Sequence, residues 1–176
     1  MVVHVELNSW AQAEEHFRAL DQDQGREHYD RDMFNCELAL NISGIGTLFS
    51  CRGHLDGLAA SPYITIIPQR AVAGWVPRYV SMMETQPLSQ EALTVKNNIV
   101  HAMSELGQHL LSLLTGFYEE RQMPLPCRLV IQSSGLGSYT LLNQGAVVGL
   151  LSDQETLKAY QDEFMAFVEY LKSIWG

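Results

Sequence analysis

The chain has 176 residues, 47% hydrophobic and 18% charged, the balance of one packed globular domain over 1–176 rather than of a disordered tail. Its 11 Lys and Arg against 20 Asp and Glu leave a formal net charge of −9, which excludes general nucleic-acid binding, a role that needs a basic face. No run approaches the roughly 20 apolar residues of a membrane span. The start has no basic, then apolar, leader, and three widely spaced cysteines (36, 51 and 127) fit reduced thiols, so a cytoplasmic location is expected.

Residues 2–7 alternate weakly and suit a short edge strand. Ser9 and Gln12 read as a capping box, and Trp10, Ala13, Phe17 and Leu20 follow at helical spacing, predicting a helix over about 10–21. Asp30 is the expected N-cap of a second helix with Met33, Phe34, Cys36 and Leu40 on its inner face. Gly44 sits where a left-handed residue closes such a helix. Residues 45–51 are too short for a helix and read as a strand, as do residues 63–67, fenced by Pro62 and Pro68. A short helix is expected over 77–83, with Pro77 in its first turn.

The clearest element is a long central helix over 89–122. Ile99, Met103, Leu106, Leu110, Leu113 and Phe117 form one apolar stripe along it, and Pro124 and Pro126 forbid its continuation. Residues 127–133 and 138–142 look like a hairpin around Ser134–Gly137, with a further strand over 146–151. Ser152 to Glu155 reads as a capping box for a C-terminal helix over 153–175, whose inner face is Leu157, Tyr160, Phe164, Phe167, Leu171 and Ile174. The whole predicts an α+β fold: a small, mostly antiparallel sheet of about 4–5 strands with helices packed on one face.

Charge is unevenly spread. Residues 43–83 carry Arg52, Arg70 and Arg78 against Asp56 alone, and residues 122–151 carry Arg128 and no acid. Acids decorating the helix faces account for much of this. Guanidinium groups cannot shed their protons, however, so arginines in acid-free regions call for partners, and phosphate is a natural one.

The densest chemistry is the run Ser50–Gly57, in which Cys51, His54 and Asp56 lie within one glycine-flanked turn. As a binding turn, the backbone around Gly53 with Arg52 and His54 would hold an anion. As a catalytic set, Cys51 would be the nucleophile, His54 its base and Asp56 the group orienting the imidazole. As a metal half-site, Cys51, His54 and Asp56 would be zinc ligands, with further ligands recruited singly from Cys127 or His4. In the plainest alternative Cys51 faces the core while His54 and Asp56 pair to close a loop.

Gly44-Ile-Gly-Thr47, Ser50-Cys51-Arg52-Gly53-His54-Leu55-Asp56-Gly57 and Pro62-Tyr63-Ile64 together resemble a group of small uncharacterised bacterial, archaeal and phage proteins. Their signature is a GI-x-T strand, an SC-x-GH-(L-D) turn and a P-[WY]-[VI] strand. The resemblance covers roughly residues 30–67, about a fifth of the chain. Many of those proteins have Glu between Cys and Gly, where this chain has Arg52, which raises the local positive charge. No activity comes with the resemblance; it implies that the turn is a recurring device built on Cys51, Gly53, His54 and Asp56.

Other signals are weaker. His101 and Glu105 point away from the apolar stripe and His109 lies on its flank, so the three read as a solvated face. Ser133–Ser138 has the composition of a phosphate cradle, but its strand–turn–strand context makes it a hairpin turn. Residues 28–32 read as a helix start, and Trp10, Trp75 and Trp175 as core or interface anchors. The leading expectation is a small-ligand-binding protein that holds a phosphate- or nucleotide-like anion at the Cys51–Asp56 turn through Arg52, Gly53, His54, Arg70 and Arg128. Its rivals are a hydrolase-type enzyme using Cys51, His54 and Asp56, by thiol or by zinc, and a homodimeric interaction module built on the long helix.

Overall fold

The structure is a computed structural model that describes residues 10–23, 31–56, 60–68, 72–85 and 89–175. The expected strand over 2–7 lies outside the described residues, as do His4, Ser9, His28, Asp30, Gly57 and Arg70. The elements in chain order are α1 (Trp10–Asp23), α2 (Arg31–Ile42), β1 (Ile45–Cys51), β2 (Tyr63–Pro68), α3 (Val72–Thr85), α4 (Gln90–Tyr118), a 3-10 turn (Leu125–Cys127), β3 (Leu129–Ser133), β4 (Tyr139–Asn143), α5 (Gln144–Val147) and α6 (Gln154–Trp175). The four strands form one antiparallel sheet in the order β1-β2-β4-β3. The fold is α+β, with a long central helix and a C-terminal helix.

Register decides which side chains share a face, because directly paired residues project to the same side. One cross-strand row is Ser50–Ile64–Leu141–Ile131 and another is Ile66–Tyr139. These rows are the inner face: Ile64, Ile66 and Leu141 are fully buried and join a core with Leu106 and Leu110 of α4 and Phe164, Phe167 and Leu171 of α6. The alternate rows, Cys51–Tyr63–Leu142–Val130 and Phe49–Thr65–Thr140–Gln132, form the outer face. A bulge between Thr47 and Phe49 interrupts the register of β1, an edge strand among the described residues, and leaves Leu48 and Phe49 45% and 66% exposed.

Several boundaries differ from expectation for identifiable reasons. The Ser89 hydroxyl accepts the Ala92 N–H at 3.1 Å and starts α4, as its cap position demands. At its far end the helix stops at Tyr118, short of Gln122. Arg121, beyond that end, reaches Glu163 of α6 instead. The capping box expected at Ser152 is displaced by one residue: Asp153 Oδ1 accepts the Thr156 N–H at 2.7 Å. These cap hydrogen bonds hold the Asp153 carboxyl below its ordinary range. The strand expected over 146–151 does not form. Asn143 donates from Nδ2 to the Cys127 carbonyl at 2.7 Å, the Gln144 N–H turns back to the Arg128 carbonyl at 2.7 Å, and the chain leaves the sheet as the short α5. Helix α3 is longer than the expected 77–83 and runs through Pro77. Packing of Trp75, Val76, Tyr79 and Met82 on Val95, Ile99 and Met103 of α4 offsets the missing proline N–H.

One charged group lies wholly inside. Glu163 of α6 is 0% exposed, and Arg121 grips it from Nη2 at 2.7 Å and from Nε at 3.2 Å to both carboxylate oxygens. The Tyr118 hydroxyl donates to Glu163 Oε1 at 2.9 Å and accepts the Leu129 N–H at 2.7 Å. The end of α4, the start of β3 and the middle of α6 therefore meet on one carboxylate. Burial raises the Tyr118 hydroxyl above its ordinary range, and its bond to Glu163 adds to the rise. The bond to Glu163 also raises the Arg121 guanidinium. Removing one partner of such a pair strands the other, so Arg121→Ala is expected to cost on the order of 3 kcal/mol in urea unfolding.

Candidate functional site

The run from Cys51 to Ala60 leaves the end of β1 and returns to β2. It is closed by two backbone hydrogen bonds, His54 N–H to the Ala60 carbonyl at 2.8 Å and Ala60 N–H to the His54 carbonyl at 2.9 Å. Gly53 is buried with φ +82, a left-handed conformation. A Cβ there would meet the Ala60 carbonyl and Leu157 Cδ1 at 2.7 Å and Pro62 Cδ at 2.8 Å. Glycine is required twice over, by the backbone angle and by the space. Helix α6 holds the turn from below, through Leu157 against Gly53 and through Gln161 Nε2, which donates to the Arg52 carbonyl at 3.0 Å.

Within the turn the expected trio separates into two pairings. His54 Nδ1 lies 3.1 Å from Asp56 Oδ1 and 3.0 Å from the Asp56 carbonyl; with acceptors on both, Nδ1 carries the proton, and Nε2 of the neutral ring is left as an acceptor. Both side chains face solvent. Cys51 instead accepts the Gly53 N–H on Sγ at 3.3 Å, from the row it shares with Tyr63 on the outer face. The core-facing Cys51 of the plainest alternative is therefore not found, whereas the His54–Asp56 pair is. No hydrogen bond joins thiol to imidazole, so the nucleophile–base arrangement is not assembled. Among the described residues no three His, Cys, Asp or Glu side chains are grouped to hold a metal ion, so Cys51, His54 and Asp56 are not drawn together as zinc ligands.

The arginines are also dispersed. Arg52 is exposed at the turn itself. Arg78 pairs with Glu91 across α3 and α4. Arg128 donates from Nε to the Met123 carbonyl at 3.0 Å and lies over the Tyr118 ring, with its guanidinium carbon 5.3 Å from the ring centroid. It precedes β3, the opposite edge strand from β1, so three strand spacings of about 4.8 Å put it roughly 14 Å from the turn. Arg128 thus does not share a site with Cys51. Of the weaker signals, His101 and Glu105 are exposed as expected, while His109 places Nε2 2.9 Å from the Ser43 carbonyl on the flank of the core.

The sheet assembles what the linear sequence hides. Ala60, Ser61, Pro62, Tyr63, Thr140, Leu142, Ala146, Gly149 and Leu151 line a wide-mouthed hollow of about 500 Å³ on the outer face. Its floor is the Tyr63–Leu142 row beside Cys51, and its lining includes the hydroxyl-bearing residues Ser61, Tyr63 and Thr140. None of its lining residues is charged. The turn borders it directly, since Gly53 packs against Ala60 and Pro62. The available signal was strand alternation, which places Tyr63 and Leu142 each on a definite face; their adjacency depends on a β2–β4 pairing across some 80 residues that alternation cannot reveal. Comparison of the chain with protein-family models, with curated proteins and with solved structures found no match in any of the three.

Two tests follow from this geometry. Gly53→Ala should lose at least about 2 kcal/mol in denaturant unfolding, from strain plus clash. Gly44→Ala, where φ is +80 but nothing lies within 4 Å, should lose only about 1 kcal/mol. The cysteines should also differ under iodoacetamide at pH 8. Burial, with Glu37 adding, pushes the Cys36 thiol up to about 12, and burial also raises Cys127. Mass spectrometry should show Cys51 labelled first, Cys127 more slowly and Cys36 only on unfolding.

Proposed function

We propose that the chain is a small-ligand-binding protein for a nucleotide-like anion, seated in the outer-face hollow with its charged end at the Cys51–Asp56 turn. The observation that carries this reading is the juxtaposition of an uncharged, hydroxyl-bearing hollow with a turn that presents an arginine and a histidine. A volume of about 500 Å³ falls within the range of small-molecule sites. The apolar floor around Leu142 suits a planar ring, and the Ser61, Tyr63 and Thr140 hydroxyls suit its polar edges. Arg52 is the cation that meets the phosphate oxygens, with His54 beside it in the turn. Arg128 has no part in this arrangement. Binding rather than turnover is favoured because no hydrogen bond joins the Cys51 thiol to the His54 imidazole: the thiol accepts the Gly53 N–H, and His54 Nδ1 faces Asp56.

The test is thermal-shift and calorimetric titration with inorganic phosphate and a panel of mono- and dinucleotides. At least one nucleotide should raise the melting temperature. Thr140→Trp, which fills the hollow, and Arg52→Glu, which reverses the charge at its rim, should each weaken that ligand at least about tenfold. A panel without effect, or full retention of affinity in Arg52→Glu, overturns the reading.

A further inference from the structure

We propose that the outer face of the sheet is a homodimer interface, through which a second copy roofs the hollow; the roofing clause rests on the binding reading above. Three observations converge. The first concerns charge: not one residue of β1, β2, β3 or β4 is charged, although the chain as a whole carries −9. A solvated antiparallel face ordinarily carries polar and charged side chains. Here Leu48 and Phe49 stand exposed beside Tyr63 and Leu142, and the turn after α5 adds exposed Val148 and Leu150. Two copies of so acidic a chain repel over most of their surface, and the neutral face is where they can meet without opposing like charges. A cationic partner would be drawn to the acidic helices instead.

The second observation is extent. Four strands at about 4.8 Å, each five to seven residues long at about 3.3 Å, give a footprint near 19 by 20 Å. Buried on both copies it amounts to about 760 Å², and the exposed Val148 and Leu150 of the loop after α5 extend it toward the roughly 1,000 Å² of a specific interface. The third is the hollow itself, which has a floor and walls but a wide mouth, whereas small-ligand sites enclose most of their ligand. A two-fold axis over the sheet lays the same apolar face across that mouth. The flank of α4, where the sequence suggested a dimer, is less suited: its exposed Leu93, Val100 and Leu111 are flanked by Lys96, His101 and Glu105.

Sedimentation equilibrium of the full chain tests this. The wild type should dimerise with a dissociation constant below about 100 μM. Phe49→Asp and Val148→Asp, at side chains too exposed to support the fold, should each weaken association at least about tenfold with unchanged circular dichroism. Leu111→Asp on α4 should leave it unaltered. A monomeric wild type, or association broken by Leu111→Asp and not by Phe49→Asp, overturns the interface. Calorimetry on the same samples separates the two readings. A monomer that binds a nucleotide refutes the interface alone; a dimer of the stated variant pattern that binds none upholds the interface and refutes the binding reading.

Discussion

A carboxylate with no access to water dictates how this molecule goes together. Glu163 is tolerable inside only because Arg121 and Tyr118 satisfy it, and those two residues come from the end of α4 and the segment just beyond it. The Tyr118 hydroxyl also takes the first backbone N–H of β3, so the helix, the sheet and α6 are set relative to one another by directional bonds rather than by apolar contact alone. Apolar packing accepts many near-equivalent arrangements; a buried ion pair with fixed partners accepts few. Phe117 packs edge-on against Phe167, which stacks on Tyr170, and the Arg121 guanidinium lies over the Phe117 ring.

That arrangement reaches the turn. Leu157 and Gln161 lie six and two residues before Glu163 on the same helix, and they are the residues that support Gly53 and the Arg52 carbonyl. Rotation of α6 by a single residue would take Glu163 away from Arg121 and Leu157 away from Gly53 together. The shape of the turn, and with it the rim of the hollow, is therefore a consequence of a polar cluster at the far side of the helix. The chemistry proposed for the hollow draws on the same division: polar specificity is buried in the core, and the open face of the sheet is kept neutral.

Much of the architecture was legible in the residues. The strand over 45–51, the hairpin, the long helix with its Ser89 cap and the apolar stripe of the last helix as far as Leu171 all follow from periodicity and capping chemistry, whereas Ile174, expected on that stripe, is exposed. Three things were not. The segment after Asn143 has a strand-like composition, but its conformation is set by hydrogen bonds from Asn143 and Gln144 to the Cys127 and Arg128 carbonyls, which are distant in sequence. Glu163 sits on the apolar side of α6, where no rule of pattern anticipates a carboxylate; only its partner on another element explains it. At the turn, the proximity of Cys51, His54 and Asp56 in sequence suggested convergence. The left-handed Gly53 gives the thiol an amide of its own, and the imidazole is left to Asp56. Arg52, Arg78 and Arg128 likewise seemed a group only because strand order was unknown.

The irregularity in β1 has a wider bearing. An outermost strand with regular spacing and no lysine offers its free amides and carbonyls to any passing chain, and such edges seed open-ended fibrils. The extra residue between Thr47 and Phe49 throws the repeat out of step and twists the edge, so another strand cannot continue the ladder along its length. Growth of the sheet sideways at this strand is thereby discouraged.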